Sequence, residues 1–295
     1  MQTVSIVGSG RMGGALAIAL SKNGFVVDNL LHRGGQSAPK IAAQIDGTPN
    51  VASLAELPYL ASDITLITTP DPEIATVAKS LSGRLNPGAI VLHASGSLSS
   101  SILSRLHNSG AFVGSMHPLI SVSDPLIGAS RFRGAYFCVE GDVRAISAAD
   151  DIVESLGGIA FTIDTAKKSL YHAAAVTASG HLVAVVDIAV EMLANCGVEA
   201  GDAKKILMPL VQSTVENLGK MTISRALTGS YARGDAAAVE RHFSAIQGAV
   251  SDEATNIYLA LAERSLEIAE RSGIDAEAAR KIRELISIAK RNHEC

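Results

Sequence analysis

Residues 3–20 constrain the fold more than any other part of this 295-residue chain. Val4, Ile6 and Val7 form an apolar run that stops at Gly8-Ser9-Gly10-Arg11-Met12-Gly13, and an alanine- and leucine-rich pattern of helical period follows. This is G-x-G-x-x-G in the strand, turn and helix setting that gives the motif meaning. The first glycine permits a tight turn, the second lets the main chain approach a pyrophosphate, and the third lets helix and strand pack closely. Free N–H groups and the positive end of the helix dipole then face the phosphates. Gly8, Ser9, Gly10, Arg11, Met12 and Gly13 are therefore expected to hold a dinucleotide.

Apolar runs of strand character recur at 26–31, 51–57, 63–71, 89–92, 110–116, 135–140 and 158–163, with helical patterns at 73–81, 99–107 and 143–156 between them. Strands alternating with helices mean βαβ units, so the first half reads as an α/β doubly wound sheet of about eight strands. Everything beyond is helical in period: 169–196, 202–218, 224–227, 236–243, 251–272 and 275–292. Gly197 and Gly273 suit C-terminal caps, and Asp202 and Asp275 suit N-caps. The length fits two domains, expected as a dinucleotide-binding domain over 1–165 and an all-α substrate and dimerisation domain over 166–295.

Hydrophobic residues make up 47% of the chain but aromatic ones only 4%, with no Trp. The core must then be built from Ala, Val, Leu and Ile, which suits helices packed on a parallel sheet. A net charge of −4 and the lack of any Lys/Arg run exclude nucleic acid and an anionic membrane as partners and leave a small-molecule substrate. Cys138, Cys196 and Cys295 form no C-x-x-C pair, so neither a metal site nor a disulfide framework is expected, and the chain reads as cytoplasmic, without a signal peptide. The most apolar stretch, 173–190, is interrupted by His181 and Asp187 and is expected to be a buried helix rather than a membrane span.

The strand over 26–31 ends at His32-Arg33 without the acidic residue that would hold the ribose hydroxyls of NAD. Arg33, with Ser37 and Lys40 behind it, suits the 2′-phosphate of NADP(H) instead. In such a sheet the loops at the carboxyl ends of strands line the ligand crevice. Thr68, Thr69 and Pro70 are expected on the nicotinamide side, with Ser95 and Gly96 at the end of the next strand. Histidine is the natural proton carrier near neutral pH. His93 and His117 each close a strand, and His172 lies seven residues before Ser179 on the first long helix beyond the sheet, so the two are expected to share a face.

The segments GSGRMGGALA, LHASGSL, GSMHPLISVSDP, YHAAAVTASGHLVAV and ALTGSYARGD, in this order, resemble a family of two-domain proteins, Rossmann-like with a C-terminal DUF2520 domain. That family is similar in plan to ketopantoate reductase, pyrroline-5-carboxylate reductase and the F420-dependent NADP oxidoreductases. The resemblance implies an NADP(H)-dependent oxidoreductase that reduces a small carbonyl or imine, a 2-oxo acid such as ketopantoate or a cyclic imine, in the cleft between two domains. A 6-phosphogluconate dehydrogenase-like C-terminal domain and a homodimer through the C-terminal helices are implied with it. The better-known relatives carry a catalytic Lys and Asn on the first helix after the sheet. Here the matching face offers Ala175, Val176, Ser179 and Gly180, while Lys167 and Lys168 precede the helix and are expected to be solvated. Proton donation then falls to His172, with His117 in reserve and Ser179 as a polar neighbour. A non-catalytic NADP-binding sensor or structural protein is the alternative that the missing pair leaves open. Arg233 and Asp235 suit either a substrate carboxylate or a local turn.

Overall fold

In the computed structural model, which describes residues 1–32 and 37–294, the chain divides into two units, Met1–Ser179 and Gly180–Cys295. The first holds one sheet of β1 (Thr3–Val7), β2 (Val26–His32), β3 (Asn50–Ser53), β4 (Ile64–Ile67), β5 (Ile90–His93), β6 (Phe112–Pro118), β7 (Tyr136–Gly141) and β8 (Ile159–Phe161). The strand order is β3-β2-β1-β4-β5-β6-β7-β8, parallel throughout except where β7 runs against β6. Its helices are α1 (Arg11–Ser21), α2 (Ser37–Ala42), α3 (Asp71–Leu81), α4 (Pro125–Ser130), α5 (Val143–Ser155) and α6 (Lys168–Ala178). This is the doubly wound Rossmann sheet, and the order reverses between β1 and β4, the switch point at which such sheets bind ligands.

Both faces are covered. Leu16 and Ile18 of α1 and Ala149 and Ile152 of α5 pack with Val4, Ile6 and Leu30. On the other face, Ile74 and Ala78 of α3, with Leu103 and Leu106, pack with Val7, Ile67 and Val91. Strands buried on both sides explain why they read as continuous apolar runs rather than alternating ones. Leu103 and Leu106 belong to Ser100–Ser109, expected as an α-helix but found as a 3-10 helix, the tighter form used for short connections. The six-residue helices α2 and α4 carry too few turns to show a period and were not expected.

The second unit contains α7 (Gly180–Asn195), α8 (Ala200–Lys220), α9 (Ile223–Ala226), α10 (Gly229–Ala232), α11 (Ala236–Ile246), α12 (Asp252–Arg271) and α13 (Ala276–Glu294). Val239, Ala262, Leu266, Ala279, Ile282 and Ile286 form its core, placed at the three- and four-residue spacings of one helix face. Gly197 and Gly273 take positive φ after α7 and α12, and Asp275 caps α13 by accepting from the Ala278 N–H at 2.9 Å. Asp202 instead lies inside the first turn of α8. Asp235 caps α11 through the Ala238 N–H at 3.0 Å, which makes the segment around Arg233 a helix-joining turn.

Two expectations need correction. The helix expected over 169–196 breaks at Ser179–Gly180, where the Ser179 hydroxyl bonds back to the Ala175 carbonyl and Gly180 opens a new helix without a Cβ. The stretch Thr165–Asn195 has a mean hydropathy of 1.8 and is long enough by composition to cross a membrane. It was expected to be buried, yet no residue of α7 is buried within the chain. α6 lies in the first unit, which ends at Ser179.

Candidate active site

The glycine loop crosses the switch point. Gly8 has φ +111°, a conformation that side chains disfavour, and a Cβ there would stand 2.8 Å from the Thr69 nitrogen. A Cβ on Gly13 would stand 2.0 Å from the Gly8 carbonyl oxygen. These two glycines are therefore demanded by the packing of the loop on its own fold. Gly10 is not: a Cβ there would meet nothing within 4 Å. Gly10 precedes α1 as its N-cap without a side-chain cap, so the positive helix end faces open space. Ser9 is buried, Met12 half-buried and Arg11 exposed. The Thr68 hydroxyl donates to the Gly8 carbonyl at 2.7 Å and pins the loop, while the Thr69 hydroxyl is buried with no partner. Pro70 is exposed at the N-terminus of α3. An uncapped helix end, an open glycine and an orphaned hydroxyl beside them fit a pyrophosphate and its ribose. Arg33 lies outside the described residues, and Lys40 is exposed on α2.

At the carboxyl ends of β5 and β6 the chain gathers its imidazoles. Ser95 is buried, and its hydroxyl accepts from the Ser97 and Leu98 N–H groups, which builds the turn that carries Gly96. Gly96, the next residue, is roofed by two rings. A Cβ on it would stand 2.5 Å from Cδ2 of His172 and 2.8 Å from Nε2 of His117. The rings are edge to face, with centroids 5.8 Å apart. Tyr171 lies 2.7 Å from His117 Nδ1 through its hydroxyl. Burial raises the Tyr171 phenol, so it stays protonated; with this hydroxyl as the donor to Nδ1, the ring proton of a neutral His117 lies on Nε2. Burial, with the His172 and Lys168 charges beside it, lowers His117 to about 4. His117 is thus neutral above Gly96 at neutral pH.

His93 is also lowered to about 4, by burial first and then by Lys168. Its Nδ1 accepts from the Ser95 N–H at 3.2 Å, and its buried Nε2 finds no hydrogen bond of normal geometry. His93 therefore props the turn that carries Gly96. Ser179 is exposed with its hydroxyl turned to Ala175, and seven residues along α6 place it about 10 Å from His172 along the axis. The structure brings His117 and His172 together and leaves Ser179 apart.

Lys168 is the residue that sequence reasoning missed. Expected in solvent, it is 2% exposed. Its ammonium donates to Glu140 Oε1 at 2.8 Å and to the Ser115 hydroxyl. Glu140 also accepts from the Ser100 N–H at 2.8 Å and the Ser100 hydroxyl at 2.7 Å. Burial alone would push the Glu140 carboxyl up, but the Lys168 and Ser100 donors hold it below the ordinary range. The available signal was Ser115 and Glu140, polar residues directly opposite each other inside apolar strands. No group of His, Cys, Asp or Glu suited to a metal ion occurs among the described residues.

Residues 1–118 match the Rossmann-like domain, and residues 135–265 match DUF2520, a domain of unknown function that here includes β7, β8 and α6. No curated protein matches the chain. Protein TM1727 from Thermotoga maritima is 27% identical with a TM-score of 0.70, over 91% of this chain and 99% of that one. A Bacteroides fragilis protein, BF3122, named for a proposed NADP oxidoreductase activity, is 18% identical with a TM-score of 0.67, over 100% of this chain and 98% of that one. The reductive aminase from Aspergillus terreus, solved with NADPH and ethyl-5-oxohexanoate, is 18% identical with a TM-score of 0.56, over 99% and 94%. The last two likenesses are of fold.

Proposed function

We propose that this chain, a Rossmann-like domain joined to a DUF2520 domain, is an NADP(H)-dependent oxidoreductase that reduces a small carbonyl or imine. The observation that carries the reading is the pair of imidazoles converging over Gly96, on the same sheet edge as the glycine loop. Support comes from the folds it shares with a reductive aminase and with a protein named for NADP chemistry.

The backbone of Gly8 to Gly13 holds the pyrophosphate, the Thr69 hydroxyl finds its partner on the cofactor, and Arg33 takes the 2′-phosphate. When bound, NADPH supplies the hydride. The chain's own residues orient and polarise the acceptor. His117, neutral and fixed by Tyr171, donates from Nε2 to the substrate oxygen or nitrogen and stabilises the charge that develops there. His172 then delivers the proton that this atom gains as the carbon accepts hydride. His117 cannot fill that second role as an imidazolium at neutral pH, because its proton is lost near 4. This assigns the acid to His172 and the hydrogen bond to His117.

The same reading includes a two-fold dimer. On the last two helices, Leu266, Ile282 and Ile286 lie in the core of their own unit. Ile257 and Leu261 remain exposed, beside Val185, Ile188, Ala189 and Met192 of α7 in an apolar groove. Val183, Ile206 and Leu210 extend this bare surface along α7 and α8. A second copy covering α7 and α8 would bury it.

A panel of 2-oxo acids and cyclic imines followed by NADPH absorbance tests the reaction class. Oxidation of NADPH with at least one member is expected. Tight NADPH binding without turnover across the panel would instead favour the sensor.

A further inference from the structure

Lys168, Tyr171 and His172 lie within one turn of α6, so what fixes the first fixes the other two. Beyond that turn, residues 173–178 of α6 are half-buried or exposed. Near its start the helix is held by one deep contact, in which the Lys168 ammonium reaches Ser115 on β6 and Glu140 on β7 while Glu140 grips Ser100. A buried ion pair is a poor source of net stability, since an apolar side chain of similar volume would often serve as well. What it supplies is direction: the ammonium is satisfied in one place only.

We propose that Lys168 is a positioning residue of this site, whose buried ammonium, locked between Glu140 and Ser115, sets Tyr171 and His172 against His117. The proposal rests on reading the imidazole pair as the reactive centre. Ser115 and His117 are two residues apart on β6 and share a face of the sheet, so the anchor and the ring it serves stand on one strand. The groups facing His117 are Lys168, Tyr171 and His172 from α6, Asp71 from α3 and His93 from β5. Among them Lys168 does two things, holding the Tyr171 hydroxyl at Nδ1 and discouraging a second proton on the ring.

Lys168→Met keeps the stem and removes the charge. In an NMR titration that needs no substrate, His117 of the intact chain should titrate near 4. In Lys168→Met its midpoint should rise by about one pH unit. With the best substrate of the panel, the variant should lose about tenfold or more in kcat while NADPH affinity stays within about twofold. If the orphaned Glu140 prevents folding, Lys168→Met with Glu140→Gln removes both charges and should give the same rise. An unchanged His117 midpoint in whichever variant folds overturns the proposal. A risen midpoint in a protein that never oxidises NADPH upholds the positioning role and refutes the enzymatic reading, so the two failures are distinct.

Discussion

Gly96→Ala is the sharpest perturbation that the site geometry offers. Gly96 is not among the glycines with positive φ, so alanine can adopt its backbone and the effect is steric. The new methyl would stand 2.5 Å from His172 Cδ2 and 2.8 Å from both His117 Cε1 and Nε2. Carbon contacts become comfortable at about 3.5 Å, so the rings must withdraw by roughly 0.7–1 Å. His117 is tied to a central strand and to Tyr171, which leaves the half-buried His172 to give way. Overpacking of this kind costs about 1–3 kcal/mol of stability. A displacement of about 1 Å at the reacting groups costs on the order of 10²-fold in turnover. Steady-state kinetics with NADPH and the best substrate of the panel, beside a thermal melt, reads both. Turnover within about threefold of the unaltered chain would show that the imidazoles do not need the gap, and the site as drawn would be wrong.

Gly10→Ala should behave in the opposite way, costing about 1 kcal/mol or less of stability as a weaker N-cap while weakening NADPH binding, because nothing in the chain opposes the methyl; unaltered affinity would remove the pyrophosphate from this loop. Arg33→Ala should cost NADPH roughly 1–3 kcal/mol and leave NADH untouched, and equal losses in a titration would refute the 2′-phosphate assignment. Light scattering at micromolar concentration should return twice 30.5 kDa, and Leu210→Glu on α8 should return a monomer; a monomer before substitution, or recovery only with vesicles, would refute the two-fold interface. Stability should fall with acid: His93 and His117 are lowered to about 4, so the unfolded chain takes up their protons first. Their contribution is intact above about 6.5 and decreases toward about 4, by roughly 2 kcal/mol for each ring at pH 5. Glu140 acts in the same direction below its ordinary range. Urea unfolding that gives one value at pH 7 and pH 5 would refute both shifts.

The sheet was legible because strands buried on both faces leave unbroken apolar runs, and because Gly8 is required by its own positive φ and Gly13 by the Gly8 carbonyl of the same loop. Gly197, Gly273 and Asp275 were legible for the same reason, since a cap depends on its own turn. What escaped depends on distant partners. Lys168 looks like any lysine before a helix until Ser115 and Glu140 come from two other strands to meet it. The break at Ser179–Gly180 interrupts a run whose apolar period continues through it. The exposure of α7 could not be read at all, because an apolar helix covered by its own chain and one left bare have the same sequence. His172 and Ser179 seemed paired by spacing alone, and spacing holds only while the helix does.

His172→Gln tests the central claim most directly, because glutamine keeps the size and a hydrogen-bond donor but cannot deliver a proton. NADPH oxidation with the best substrate of the panel should fall by about 10²-fold or more, with NADPH affinity and melting temperature held. Turnover that survives while the melting temperature drops would make His172 a brace for α6 and would contradict the mechanism.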